Sequence, residues 1–186
     1  MIAKTTSQAL LAASLLFALG QASATDSSVR RYPLPERGFF AMKVPANWVD
    51  QLRQPPEAVP PTIAFRPRQG KPFQILVTPI WRARPDIPIQ TRETILQRVE
   101  RAIEGIKSRA VENNISIVEM SDTSGPGFYF SATDRAPKPD EYKLLTQGML
   151  KVSDLLVAFT ILTNDGQDDV SRDAFDMLRT AVHIQK

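Results

Sequence analysis

The chain has 186 residues, no cysteine, one histidine and a formal net charge of +3. A chain of this length predicts one domain. Without cysteine it has no disulfide, thiolate metal site or cysteine nucleophile, and with His183 alone it has no multi-histidine metal site. The charge is too small to indicate a nucleic-acid partner.

The first 24 residues have the pattern of a secretory signal peptide. Lys4 precedes an apolar run from Ala9 to Leu19, and Ala22-Ser23-Ala24 provides the small residues that a signal peptidase reads. An apolar core of about 11 residues is too short to span a bilayer as a helix. We predict cleavage between Ala24 and Thr25 and export to the bacterial periplasm, or otherwise outside the cell. The alternative is an uncleaved anchor helix.

Proline and charge both divide the rest of the chain. Twelve of the 15 prolines lie between Pro33 and Pro88, which predicts short strands, edges and loops there. Residues 25–37 are polar with two prolines, which predicts a flexible leader before a single domain over 38–186. Residues 25–84 carry 10 basic and 4 acidic side chains (net +6), and residues 85–186 carry 12 and 16 (net −4). This asymmetry indicates either a basic surface for an anionic partner or one domain that interleaves both parts.

Three strands are predicted before a long helix. They are residues 39–44, which Pro45 ends, and residues 62–66 and 73–81, which flank a Gly- and Pro-containing hairpin loop over 67–72. A helix is predicted over 91–113, because apolar residues recur there at intervals of three and four. Thr94 with Gln97 fits a capping box, and Thr91 is the alternative cap.

Four further strands and a closing helix follow. The strands are predicted over 115–120, 128–133, 142–152 and 155–163, and their links are too short for helical crossovers, so they form an antiparallel meander. Residues 155–163 are apolar on both faces, which predicts a central strand covered on both sides. The closing helix has an apolar stripe that includes Val170, Ala174 and Leu178. The sum is an α+β domain, with an antiparallel sheet packed by helices.

The order of these elements, with several local motifs, resembles the PsbP-like family. The motifs are Phe40 through Val44-Pro45-Ala46-Asn47-Trp48, then Gly127-Phe128-Tyr129-Phe130, then Glu141 to Gly148. The resemblance covers residues 38–184. It implies a central sheet of six to seven antiparallel strands between helices, an α/β/α sandwich. It also implies action by binding other proteins rather than by catalysis, and it assigns no site residues.

Catalytic and metal-binding motifs are weakly represented. A Ser-His-Asp triad needs a histidine between a nucleophile and a carboxylate, and His183, three residues before the end, favours a surface or terminal-strand position. Asn164 to Asp169 is rich in oxygen ligands but lacks EF-hand spacing, so it favours a turn and a helix start over calcium binding. Asp140-Glu141 favours solvated loop residues over a general acid and base. The sequence therefore predicts no catalytic residue, no metal and no cofactor.

A basic and aromatic cluster is the candidate binding site. Arg66, Arg68 and Lys71 surround the hairpin, and Trp81, Arg82 and Arg84 end the strand that follows it. Arginine binds carboxylates and phosphates through two parallel hydrogen bonds, and tryptophan anchors interfaces. The two groups fall at opposite ends of one strand, so two small patches are expected. The alternative interpretation is that charged strand edges prevent aggregation between sheets.

The sequence thus predicts an exported, non-catalytic accessory protein that binds another protein, with no nucleic acid and no transmembrane segment. Contact with an anionic surface such as lipid headgroups is an additional hypothesis. A carrier of a small apolar or amphipathic ligand, held between helix and sheet, is the alternative. A hydrolase that uses Asp and Glu alone is the third hypothesis.

Overall fold

The computed structural model describes residues 26–55, 59–82 and 90–186. Ten strands and two helices lie within these ranges. The strands are β1 (Ser27–Leu34), β2 (Gly38–Pro45), β3 (Trp48–Arg53), β4 (Thr62–Pro67), β5 (Gln74–Ile80), β6 (Ile117–Glu119), β7 (Gly127–Thr133), β8 (Leu144–Val152), β9 (Leu155–Thr163) and β10 (Val182–Ile184), and the helices are α1 (Arg92–Ile106) and α2 (Asp168–Arg179). The predicted signal peptide, with Ala22, Ala24 and Thr25, lies outside the described residues.

The strands form two antiparallel sheets. A large sheet has the order β3-β4-β5-β9-β8-β7-β6, and a small sheet has the order β1-β2-β10. The predicted α+β class, with a sheet of six to seven antiparallel strands, is confirmed. The predicted hairpin pairs β4 with β5, and the predicted meander runs from β6 to β9.

The large sheet is covered on both faces. Helix α1 packs over β7 and β8 on one face. Helix α2 and the small sheet cover the other face. Strand β9 lies at the centre, where Val157 and Phe159 face α2 and the small sheet while Leu156 faces α1. The prediction of a central strand with two apolar faces is therefore confirmed.

The predicted flexible leader over 25–37 is wrong, because Ser27–Leu34 forms strand β1. Tyr32 and Leu34 are buried and point into the core. The prolines that suggested a leader are compatible with a strand here, because β1 pairs with β2 alone and an edge strand tolerates residues without an N–H. Strand β3, at the edge of the large sheet, was likewise not predicted.

Helix α1 is shorter than its apolar stripe predicts. It begins after the N-cap Thr91, whose side chain exchanges hydrogen bonds with Thr94, and it ends at Ile106 rather than near residue 113. The apolar position that extended the prediction, Ala110, is buried in a bridge to Asp134 instead. After Ile106 the chain turns and runs beside the end of β7. Ala110 is buried there, so its apolar position continues the helical spacing by about one turn although the helix has ended.

Pro79 shows how a proline enters an inner strand. Strand β5 lies between β4 and β9, but its pairing with β4 ends at Val77. Pro79 is paired only with Val157 of β9. Its missing N–H therefore faces the side on which no partner strand continues.

Candidate functional site

The outer face of the small sheet exposes a group of apolar side chains. Within the described part of the chain, seven large hydrophobic residues are exposed, and four of them lie on this face. They are Val29 of β1, Phe39 of β2, and Val182 and Ile184 of β10. Ile184 and Val182 are paired with Phe39 and Ala41, so the side chains are neighbours across the strands.

The charges of this outer face have one sign. Alternation along β1 and β2 turns Tyr32, Phe40 and Met42 into the core. The same alternation places Arg31 and Lys43 outward, beside the exposed apolar side chains. The outer face thus combines an apolar centre with two exposed cations.

His183 lies on the opposite side of β10 and is enclosed. Its side chain is 2% exposed. Its Nδ1 lies 2.5 Å from Asp154 Oδ1, and its Nε2 lies 2.7 Å from the carbonyl oxygen of Arg37. Both ring nitrogens therefore face oxygen atoms. His183 therefore joins three segments: the β1–β2 turn, the β8–β9 turn and the C-terminal strand.

This arrangement contains two members of a catalytic triad without the third. In a triad, the histidine nitrogen opposite the carboxylate contacts a nucleophilic hydroxyl. Here that nitrogen contacts a backbone carbonyl, which accepts a hydrogen bond and cannot attack a substrate. The prediction that His183 belongs to a terminal strand is confirmed, whereas a surface position is wrong, because both ring nitrogens are engaged.

The Asp154 carboxyl is affected by this contact. Burial alone would raise its pKa, but the hydrogen bond and the charge of His183 hold the pKa below its ordinary value. Arg37, whose carbonyl contacts His183, also contacts the residues that follow β5. Its guanidinium donates to the Arg82 carbonyl oxygen at 3.3 Å and lies 5.9 Å from the centre of the Trp81 ring.

A cavity of about 370 Å³ opens next to this network, between the first half of α1 and the large sheet. We call it the basic cavity. Three cations and one carboxylate line it, with apolar residues and two uncharged polar residues. The lining residues are Ile80, Trp81, Arg82, Gln90, Arg98, Lys151, Ser153, Asp154, Leu155 and Leu156.

A second cavity, of about 330 Å³, lies at the C-terminal end of α1. We call it the acidic cavity, because Asp134, Asp140 and Glu141 line it with one cation, Arg109. Arg109 lies 2.5 Å from Asp134 and 3.7 Å from Glu141. Tyr142 also lines it, and burial raises the pKa of its hydroxyl. The apolar part of the wall comes from Ile106, Ala110, Ala132, Leu145 and Leu162.

The predicted basic and aromatic residues fall into two separate groups, as their spacing indicates. Arg66 and Arg68 are exposed near the end of β4, and Lys71 lies in the hairpin before β5. Trp81 and Arg82 follow the other end of β5 and line the basic cavity. Arg84 lies outside the described residues.

The oxygen-rich segment 164–169 forms a turn and the start of α2. The backbone N–H of Asn164 donates to Gln167 Oε1 at 2.7 Å, and Asp165 pairs with Lys143 at 2.7 Å. Gly166 has a positive φ of 74° within the turn. These contacts confirm the prediction of a turn followed by a helix.

The described residues contain no group of three or more His, Cys, Asp or Glu placed to hold a metal ion. In the same residues, no helix is long and apolar enough to cross a membrane. Sequence reasoning did not find the outer face or the two cavities. No sequence signal indicates the outer face, because in the three residues of β10 the apolar Val182 and Ile184 are exposed and His183 is enclosed.

Comparison with known proteins gives structural matches alone. No family model and no curated protein sequence matches the chain. A crystal structure of a Bacteroides thetaiotaomicron protein is similar, with a TM-score of 0.57 and 10% identity, over 85% of this chain. The chain spans about half (48%) of that protein.

A protein of the family that the sequence resembles is also among the structural matches. It is the cyanobacterial PsbP (CyanoP) of Synechocystis, with a TM-score of 0.45 and 11% identity, over 91% of this chain and 99% of that one. At these identities a likeness concerns the fold alone, and this TM-score is too low to carry a conclusion. Neither match transfers an activity or a partner to this chain.

Proposed function

We propose that this chain is an exported, non-catalytic accessory protein that binds another protein through the outer face of the small sheet. One observation carries the proposal: four of the seven exposed large hydrophobic residues of the described chain lie on this face, and three of them, Phe39, Val182 and Ile184, are neighbours. Exposed apolar residues that are clustered rather than scattered are typical of interaction surfaces.

The two cations of the outer face indicate what kind of partner it binds. Arg31 is paired with Ala41, which lies between it and Val182, and Lys43 is paired with Val29; both cations are exposed. An apolar centre with a charged rim is the usual anatomy of a protein interface. The partner is therefore a protein surface that presents apolar side chains next to carboxylates, since opposite charges steer and orient such an encounter.

The test compares what the natural chain and a face variant capture from an extract of the cells that produce it. The variant Phe39→Ser with Val182→Thr and Ile184→Thr removes the exposed apolar side chains and keeps β-branched residues in β10. The matched control is Val118→Thr on β6, which is also exposed but lies at the far edge of the large sheet.

We expect one protein to be retained by the natural chain and by the control and to be lost with the face variant. The captured protein is then purified, and its affinity for this chain is measured directly. Arg31→Gln and Lys43→Gln should each lower the rate at which the two proteins associate, and added salt should lower the same rate. Equal capture by the face variant contradicts the proposal.

Export is proposed from the sequence and is tested separately. Cell fractionation should place the protein in the periplasm, and N-terminal sequencing should find Thr25 as the first residue. A cytoplasmic protein that retains residues 1–24 contradicts this part and leaves the binding proposal standing.

The two cavities favour a second candidate, a carrier of a small amphipathic ligand. Both lie between α1 and the large sheet, and both have apolar walls. Their volumes of about 370 and 330 Å³ lie within the range of small-molecule sites. Native mass spectrometry of the purified protein should then show a mass above that of the polypeptide, and the bare mass alone counts against it.

A further inference from the structure

The basic cavity has the chemistry of an anion site. Three of its lining side chains, those of Arg82, Arg98 and Lys151, are cationic. Its one carboxylate, that of Asp154, is engaged by His183 at 2.5 Å. Because Arg82 has an interaction of its own, the cations left for a ligand are those of Arg98 and Lys151.

Two of these cations have no carboxylate partner among the described residues. Across the described ranges of the chain, neither Arg98 nor Lys151 forms an ion pair. Most other cations near α1 are paired, as Arg92 is with Glu119 and Lys107 with Glu104. Two unpaired cations that converge on one concavity attract an anion, because the low-dielectric wall screens their field less than water does.

A buried polar atom marks the same cavity. The side-chain oxygen of Gln90 is buried and has no hydrogen-bond partner among the described residues. A buried acceptor without a donor destabilises a folded protein. Rotation of the Gln90 amide exchanges its oxygen and its NH₂ group, and the NH₂ group can donate to a bound carboxylate.

The rest of the wall is apolar. Ile80 and Leu156 belong to the core under α1, and the Trp81 ring is held by Arg37. We propose that the basic cavity binds a small amphipathic organic anion, with its carboxylate between Arg98 and Lys151 and its apolar body against Ile80, Trp81 and Leu156. None of these residues belongs to the outer face, so the test of this site and the test of the proposed protein interface are independent.

The experiment measures binding of octanoate to the full chain by calorimetry at low salt. Acetate supplies the head group alone, and octanol supplies the apolar body alone. We expect octanoate to bind at least tenfold more tightly than either, because both parts of the wall contribute. Equal affinity for octanol, equal affinity for acetate, or no binding of octanoate overturns the proposal.

Variants locate the site. Arg98→Gln and Lys151→Gln keep most of each side chain and remove its charge. Each is expected to weaken octanoate binding at least fivefold, and the pair further. Arg101→Gln, an exposed cation of α1 that does not line the cavity, is the matched control and should leave the affinity unchanged.

Folding of each variant is checked by its unfolding midpoint. If a variant does not fold, the salt dependence of octanoate binding to the natural chain decides. The affinity must then fall as salt rises, since the cations attract the carboxylate. An affinity that is independent of salt, or that Arg101→Gln lowers as much as Arg98→Gln, contradicts the proposal.

Discussion

The two faces of the large sheet are packed to different degrees. Among the described residues, the core under α2 and the small sheet contains 22 buried hydrophobic residues, whereas the core under α1 contains 9. The basic and acidic cavities both lie on the α1 face. This difference indicates that the first face supplies most of the stability. Cavities are not confined to the second face, because one of about 270 Å³ is lined by Trp48, Phe73 and Val170.

The largest expected effect comes from the core under the small sheet. Phe65 is fully buried, and the centre of its ring lies 6.2 Å from that of Tyr32 and 6.3 Å from that of Trp48. Phe65→Ala should lower the free energy of unfolding by about 3–5 kcal/mol, because it removes buried apolar area and leaves a cavity. Urea unfolding followed by circular dichroism measures the loss.

The counterpart on the other face is Leu96→Ala, which truncates a partly buried side chain of α1. We expect a smaller loss, since less apolar area leaves the core. A loss equal to that of Phe65→Ala would show that the α1 face carries as much of the stability as the other.

A glycine permits the tightest packing between α2 and the sheet. Gly148 of β8 is paired with Tyr129 on one side and Phe159 on the other, and both rings contact Phe175 of α2. A Cβ at residue 148 would lie 2.4 Å from the carbonyl oxygen of Phe128. Gly148→Ala should therefore cost about 1–3 kcal/mol, as overpacked cores do.

The matched control is Gly105→Ala, where an added Cβ meets nothing within 4 Å. Alanine restricts the unfolded chain and favours a helix, so this variant should be more stable by about 0.4–1 kcal/mol. Both changes are measured as unfolding free energies, and a stabilising Gly148→Ala would refute the packing argument.

The His183 contacts should give the next effect. His183→Leu introduces an apolar side chain of similar size. It removes the ring nitrogens that contact the Arg37 carbonyl and the Asp154 carboxylate. The expected loss is about 1–3 kcal/mol in urea unfolding. His183→Gln can donate to one of the two acceptors, so its loss should be smaller, and equal losses would mean that the hydrogen bonds contribute little.

Acid should weaken the same contact. Burial acts to raise the pKa of Asp154, but His183 holds it below its ordinary value. A carboxyl whose pKa is lowered on folding stabilises the protein fully above its unfolded pKa and loses that effect as the pH falls through the folded pKa. The stability difference between the natural chain and Asp154→Asn should therefore shrink below about pH 4. A difference that stays constant down to about pH 3 would contradict this assignment.

The sequence predicts the large sheet well because its strands show clear apolar patterns. Residues 155–163 are bounded in the structure as the pattern indicates. Two strands of the small sheet were missed, although β2 was predicted: Pro33 and Pro35 made the region of β1 resemble a linker, and the three residues of β10 are too few to show a period. The predicted end of the first helix lies too far along the chain, because Ala110 is buried after a turn and its position continues the helical spacing.

The candidate sites depend on contacts that no local pattern contains. The basic cavity joins Trp81 and Arg82 from the end of β5 with Arg98 of α1 and Lys151 of β8. The sequence places Trp81 and Arg82 in a patch apart from Arg66 and Lys71, but it does not indicate Arg98 or Lys151 as their neighbours. The strand order β5-β9-β8 brings Lys151 to the same cavity as the end of β5, with β9 between the two strands.

The smallest expected effect is that of the exposed ion pair between α1 and the sheet edge. Arg92 donates to both carboxylate oxygens of Glu119, at 3.1 and 2.6 Å, and its guanidinium lies 4.9 Å from the Phe128 ring centre. Arg92→Gln should lower stability less than any change above, and salt should remove the difference, because exposed pairs are screened. A double-mutant cycle with Glu119→Gln, measured at low and high salt, isolates the pair. A large coupling energy that persists at high salt would mean that this ion pair holds α1 to the sheet more than the few buried side chains of α1 do. The two faces of the sheet would then differ in the kind of interaction as well as in its amount.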